Sequence, residues 1–416
     1  MRRCRYLIVG GGPAADAAVR GIREKDPLGS IFVVSEENDP PYNRPFLSKS
    51  LWRGSRLETI WRHTQGRGVT LCLGTRIALI DPPRRRAFDD KGTTYCYKKL
   101  LLATGGSPRR LGEADPSVIY FRHLCDFRRA WKSAAEQARF AVIGGGLLGP
   151  ELAASLAMNG RQVSLVTSGT CIGARIYPRP LANFLNVYFR RRGVDLLIEQ
   201  RVEAVERRSN ELLLRTNRNN NFSADVVIVA IGIEPNLELA SRAGLRVGNG
   251  IIVDEGLRTS DPYIFAAGDV ANFPSRALHR RLRCEHADSA ESMGRLAGRN
   301  MAGGFEPYRY LPSFSSDLFD LSYEAVGEID STLEIIADWE QRFIKGIVYY
   351  VRAGRVRGVM FWNTPGLTDA ARELISADKV QPDELLRASL YDPKASADDV
   401  RRSSWRRFQT ERSVHH

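Results

Sequence analysis

One local pattern occurs twice in this chain, and no other feature restricts its fold as much. Tyr6-Leu7-Ile8-Val9 is a continuous apolar run that runs directly into Gly10-Gly11-Gly12-Pro13-Ala14-Ala15. An uninterrupted apolar run of this length fits a parallel strand buried on both faces. An alanine-rich helix is expected over 14–23, and the next strand over 31–34, ending at Ser35-Glu36. The second copy begins at Phe140-Ala141-Val142-Ile143 and continues through Gly144-Gly145-Gly146-Leu147-Leu148-Gly149. A helix over 151–158 and a strand over 163–166 complete it. The two copies lie a whole domain apart, so they are not a short repeat.

A glycine turn between strand and helix lets a pyrophosphate reach backbone N–H groups at the positive end of the helix, where any side chain would block it. Gly10 and Gly12 supply the turn and the close approach, and Ala15 replaces the third glycine while still letting helix and strand pack. Glu36, at the end of the second strand, can accept both hydroxyls of an adenosine ribose. Gly144, Gly146 and Gly149 repeat the arrangement. A single such turn is weak evidence, whereas two in context predict two dinucleotide sites, one for a tightly held flavin and one for a visiting nicotinamide. Asp269, after Gly268 at the end of an apolar strand, then gains a task, since its carboxylate can hold a hydroxyl of the flavin's ribityl chain. Taken alone it reads as a turn or helix-capping aspartate.

Between and beyond the two units, apolar runs at 100–105, 225–232 and 263–269 read as strands returning to a sheet. From about residue 312 the texture changes to aromatic-rich alternation at 323–329, 346–351 and 356–362, which predicts an antiparallel sheet. The expected fold class is α/β, with two Rossmann-like dinucleotide-binding domains and an α+β C-terminal domain. The expected boundaries are 1–112 with 236–312 for the flavin, 113–235 for the nicotinamide and 313–393 for the C-terminal domain. Residues 394–416 are expected to form a disordered basic tail.

Composition narrows the chemistry. Cys4, Cys72, Cys96, Cys125, Cys171 and Cys284 form no CxxC pair and no zinc-like spacing, so neither a dithiol relay nor a metal site is expected. Lys plus Arg exceed Asp plus Glu by a net charge of +13, which favours anionic partners. No segment approaches the roughly 20 apolar residues of a membrane span.

The motifs together resemble the two-dinucleotide-binding flavoprotein reductases, most closely the apoptosis-inducing-factor branch and next the ferredoxin reductases. The resemblance rests on Pro41-Tyr42-Asn43-Arg44-Pro45-Phe46-Leu47-Ser48-Lys49, Ala103-Thr104-Gly105-Gly106, Gly146-Leu147-Leu148-Gly149-Pro150-Glu151, Ile231-Gly232-Ile233-Glu234-Pro235-Asn236 and Ala267-Gly268-Asp269. Cys284-Glu285-His286, Tyr323-Glu324-Ala325-Val326-Gly327 and Phe361-Trp362-Asn363 are closest to the first branch. Three departures stand out. The long loop that animal members insert between the strands near Ile329 and Gly346 is absent, Thr167-Ser168-Gly169 replaces the usual acid of the nicotinamide domain, and Ser315 occupies a position often held by Trp.

The resemblance implies FAD and NAD(P)H as cofactors and an oxidoreductase that hands electrons to an external acceptor, either a small molecule or a protein. It implies an ion pair between Lys49 and Glu151 beside the flavin, with His286 as a third catalytic residue. It also implies cofactor contacts by Arg44, Ala103, Thr104, Gly105, Gly232, Glu285 and Trp362, the last as a flavin-facing aromatic. Without that context, Lys49 reads as a solvated lysine, Glu151 as a first-turn helix glutamate and His286 as a core histidine. The other reading, a redox-sensing interaction protein with incidental turnover, carries a redox-dependent homodimer. The arginines and aromatics of 400–408 predict weak, salt-sensitive nucleic-acid binding beside the plainer reading of a solvated tail. Met1-Arg2-Arg3-Cys4-Arg5 runs straight into the first strand with no room for a leader, so a cytoplasmic location is expected, and the resemblance offers a mitochondrial one.

Overall fold

A computed structural model describes residues 1–380 apart from 113–115, 137 and 210. The predicted tail and the last residues of the expected C-terminal domain lie outside the described residues.

The first apolar run becomes the central strand Arg2–Val9, paired in parallel with Ile31–Val34 on one side and with Thr94–Leu102 on the other. Thr70–Cys72 extends the sheet beyond Ile31–Val34, and Ile264–Ala266 joins it against Thr94–Leu102. The hairpin Ile77–Asp81 and Arg86–Asp89 adds antiparallel strands, giving seven in all. The strand Ile264–Ala266 arrives from far along the chain and brings Asp269 to the same sheet end as Gly10. Helices Pro13–Lys25 and Ala287–Met301 cross so closely that a Cβ on Gly294 would lie 2.2 Å from the Ala14 carbonyl oxygen. That crossing places His286, the residue preceding the second helix, over the same sheet end.

The second copy forms an all-parallel sheet in the order Val194–Leu197, Val163–Val166, Phe140–Ile143, Val226–Val229, Ile119–Tyr120. Helix Leu148–Met158 follows the glycine turn. The C-terminal part is a five-stranded antiparallel sheet in the order Ser313–Leu318, Leu321–Gly327, Arg355–Trp362, Lys345–Arg352, Glu334–Gln341. The segment without the long insertion therefore supplies an edge strand. In this sheet Gly346–Val351 is buried at every position and does not alternate with solvent. One face packs Tyr323, Val348, Tyr350 and Trp362 against Tyr177 and Leu181 of the second unit. The other face packs Tyr349, Val359 and Phe361 against helix Thr368–Ser376. Among the described residues no helix is long and apolar enough to cross a membrane, and no cluster of His, Cys, Asp or Glu is suited to a metal.

Candidate functional site

A cavity of about 1950 Å³ runs between the three sheets and collects most of the predicted residues. Gly10, Gly12 and Glu36 line it, together with Arg44, Lys49, Ala103, Thr104, Gly105, Glu151, Asp269, Glu285 and His286. Ala15 lies behind it, fully buried where the first helix packs on the sheet. Gly144, Gly146, Gly149 and Gly232 fall outside its lining, and the second turn reaches it through Leu147, Leu148 and Glu151.

The two turns share one backbone geometry. Gly10 has φ +121° and a Cβ there would sit 2.1 Å from the Ala103 carbonyl oxygen, while at Gly144 φ is +132° and the corresponding distance to Ala230 is 2.2 Å. Gly12 and Gly146 are different, because a Cβ at Gly12 would meet only the Arg44 guanidinium at 3.8 Å and one at Gly146 would meet nothing within 4 Å. Packing within the chain does not require these two glycines. The open space in front of each turn, at a helix N-terminus, fits the pyrophosphate of a dinucleotide.

At the Glu36 end, Glu36 itself is exposed and the organised carboxylate is its neighbour Glu37. Glu37 pairs with Arg44 and accepts a hydrogen bond from the Tyr42 hydroxyl at 2.7 Å, with His123 Nδ1 at 3.3 Å. Burial works against its charge, yet hydrogen bonds from His123 and Tyr42 and the nearby Arg44 cation hold its carboxyl down to about 2. Arg44 is thereby fixed at the cavity wall beside Gly12. Asp269 accepts a hydrogen bond from Arg122 at 2.7 Å. Neither Glu37 nor Arg122 carries a signal in the sequence, since both depend on contacts between distant segments.

Near the middle of the cavity, Lys49 Nζ lies 3.4 Å from Glu151 Oε1 and donates to the Ser315 carbonyl oxygen at 2.7 Å. Ser48 donates to Glu151 Oε2 and Ser316 to Oε1, each at 2.7 Å. Burial is the strongest influence on Glu151 and pushes its carboxyl up, against Lys49, Ser316 and Ser48. His286 stacks on Phe314 with ring centroids 4.3 Å apart and an interplanar angle of 12°. Burial pulls its imidazole down to about 4, outweighing Asp269 and Asp288, so the ring is neutral at pH 7. Glu285, beside it, is taken up by Arg283 at 2.7 Å.

The flavin-facing placement expected of Trp362 is corrected. Its ring is completely buried, stacks on Tyr323 at 5.4 Å and 9°, and donates from Nε1 to the Phe343 carbonyl oxygen at 2.9 Å. The strand carrying it is covered on both faces, so its aromatic face is spent on the core. Phe314 lies at the cavity wall. The Thr167-Ser168-Gly169 turn places no carboxylate at the end of Val163–Val166. Thr167 is buried and its Oγ1 accepts the Gly169 N–H at 3.2 Å.

The profile of the family described as pyridine nucleotide-disulphide oxidoreductase matches residues 4–294. The ferredoxin–NAD(+) reductase component of the anthranilate 1,2-dioxygenase system of Burkholderia cepacia is 33% identical over 332 residues, 77% of this chain and 81% of that protein. Apoptosis-inducing factor 1, mitochondrial, of Dictyostelium discoideum is 29% identical over 417 residues, 89% of this chain and 78% of that one. Among solved structures, the reductase of the covalent putidaredoxin reductase–putidaredoxin complex superposes with a TM-score of 0.87 at 28% identity, covering 97% of this chain and 99% of that one.

Proposed function

The chain belongs to the pyridine nucleotide-disulphide oxidoreductase family and is an FAD-dependent NAD(P)H oxidoreductase, and from that premise we propose that its electron acceptor is a ferredoxin-type iron–sulfur protein. The FAD would lie along Gly10, Gly12, Glu36, Arg44, Ala103, Thr104, Gly105 and Asp269, and the nicotinamide nucleotide along Gly144, Gly146, Gly149 and Gly232. When bound, the flavin supplies the chemistry that accepts a hydride and releases electrons singly. Residues 1–112 with 236–312 form the flavin unit in this reading, 113–235 the nicotinamide unit and 313–393 the C-terminal α+β unit, which lines the cavity through residues such as Phe314 and Ser315.

The observation that carries the reading is the buried Lys49–Glu151 pair in the cavity between the two glycine turns. Its cation, on a side chain largely withdrawn from solvent, can stabilise negative charge developing on a neighbouring ring. Neutral His286 and Phe314 present a flat wall for a planar ring, and Glu285 lies beside them.

The sequence has no CxxC, so no internal dithiol of that kind takes the electrons onward. Relatives named as reductases of ferredoxin, rubredoxin and putidaredoxin support an iron–sulfur protein over the apoptosis-inducing-factor reading that the motifs rank first. A net charge of +13 favours association with an acidic protein surface. Anaerobic titration with NADH and then NADPH, followed by turnover with a ferredoxin and with a quinone, tests the proposal. Faster turnover with the ferredoxin is expected. Slow reoxidation by both acceptors, with a long-lived reduced complex, would overturn it in favour of a redox-sensing interaction protein.

A further inference from the structure

Glu151 is 6% exposed, and both its oxygens accept hydrogen bonds from buried serines. The serine on Oε1 is backed by two more buried hydroxyls. Tyr177 donates to the Tyr323 hydroxyl at 3.1 Å, and Tyr323 stands directly opposite Ser316 on the neighbouring strand. The four hydroxyls come from separate segments: Ser48 precedes Lys49, Tyr177 lies just before helix Arg179–Arg191 of the second unit, and Ser316 and Tyr323 sit on adjacent strands of the C-terminal sheet.

Core packing explains the rings but not the oxygens. Tyr177 and Tyr323 meet edge to face at 5.6 Å, and Tyr323 stacks on Trp362, contacts that two phenylalanines would make equally well. A buried hydroxyl is unfavourable unless hydrogen-bonded, so a row of them ending on one carboxylate indicates a role directed at that carboxylate.

We infer that Ser48, Ser316, Tyr323 and Tyr177 are positioning residues, a file of buried hydroxyls that keeps Glu151 ionised and so keeps an anion against Lys49 at the cavity. The inference rests on the reading of Lys49 and Glu151 as part of the active site. Hydrogen bonds donated to a carboxylate favour its charged form and oppose the effect of burial. The titratable groups facing Glu151 are Lys49 from the segment after Ser48, Tyr177 from the second unit and Tyr323 from the C-terminal sheet, and neutral His286 lies beyond Lys49. Among these Lys49 is the cation, so losing a hydroxyl leaves it as the main support for the charge.

Infrared difference spectroscopy of the FAD-loaded protein across a pH series reads the carbonyl stretch of a protonated carboxylic acid directly, and Glu151→Gln identifies the band. In Ser316→Ala and, separately, in Ser48→Ala the midpoint of that band should move up by about one to two pH units, the effect of losing one hydrogen bond to a charged group. Tyr323→Phe should move it in the same direction by less. A midpoint unchanged in both serine variants would overturn the inference. Flavin reduction rates on the same variants test the active-site role of the pair separately. A moved midpoint with unchanged reduction would remove that role and leave the hydroxyl file standing.

Discussion

Lys49 Nζ stands 3.4 Å from Glu151 Oε1 and 2.7 Å from the Ser315 carbonyl oxygen, so one ammonium group joins the segment after the first glycine unit, the helix of the second unit and the C-terminal sheet. Both side chains of the pair are largely withdrawn from solvent, 14% and 8% exposed. A buried pair is strongly coupled, and removing one partner leaves the other uncompensated at a cost of about 3–5 kcal/mol. The pair therefore holds the three units together at the point where it would act.

Lys49→Ala should slow flavin reduction by nicotinamide more than it weakens FAD retention. Loss of a charge stabilising the reduced ring amounts to about 1–3 kcal/mol, roughly ten- to a hundredfold in rate. Stopped-flow reduction of the FAD-loaded variant measures it, and an unchanged rate in both Lys49→Ala and Glu151→Gln would remove the pair from the mechanism.

Gly12→Asp should produce a protein that purifies without flavin. The open space in front of Gly12 would receive a carboxylate where a pyrophosphate is expected, and like charges repel strongly in a partly buried site. Flavin absorbance per protein chain decides this, and a fully loaded variant would mean that the first turn does not hold the pyrophosphate.

These tests begin from residues visible in the sequence, and the reason is physical. A strand, a glycine turn and a helix are contiguous, so Gly10, Gly12, Gly144 and Gly146 announce their geometry locally. Lys49, Glu151 and His286 were legible through neighbouring motif residues rather than through their own spacing. Glu37, Arg122, Ser48 and Ser316 were not legible, because their partners lie elsewhere in the chain, 103 residues away for Ser48 and 165 for Ser316. The placement of Trp362 failed for a related reason. Alternation in a strand indicates two faces but does not say that both are covered.

Trp362→Phe accordingly should act on stability and leave the flavin spectrum unchanged. It removes the Nε1 hydrogen bond to Phe343 and part of a buried ring, a loss of about 1–3 kcal/mol. Chemical denaturation followed alongside the visible spectrum separates the two effects, and a shifted flavin band with unchanged stability would return Trp362 to the cofactor site.

NADPH should be accepted alongside NADH. Thr167 occupies the strand end where a carboxylate would repel a 2′-phosphate, and Arg175 nearby is exposed. The structure adds one acidic residue to consider. Glu199 donates its backbone N–H to the Gly169 carbonyl oxygen at 2.9 Å, and its side chain pairs with Arg218 at 3.1 Å. A preference for NADH above roughly a thousandfold in kcat/KM, about 4 kcal/mol, would refute relaxed specificity and point to Glu199 as the discriminating group. Glu199→Ala would then narrow the gap.

His286 gives the protein a pH dependence with a definite sign. Its folded-state value, about 4, lies below the ordinary 6.5, so between those values the unfolded chain binds a proton that the folded chain refuses. Stability from this residue is full above pH 6.5 and is lost as pH falls toward 4, because the unfolded state takes up more protons there. The loss is on the order of 1–3 kcal/mol. In His286→Gln, which cannot take up that proton in either state, the difference between denaturation midpoints at pH 7 and near pH 4.5 should shrink relative to the unmodified protein. Equal differences in the two proteins would show that the imidazole is solvated and charged in the folded chain, which would also end its role as a neutral wall beside Phe314.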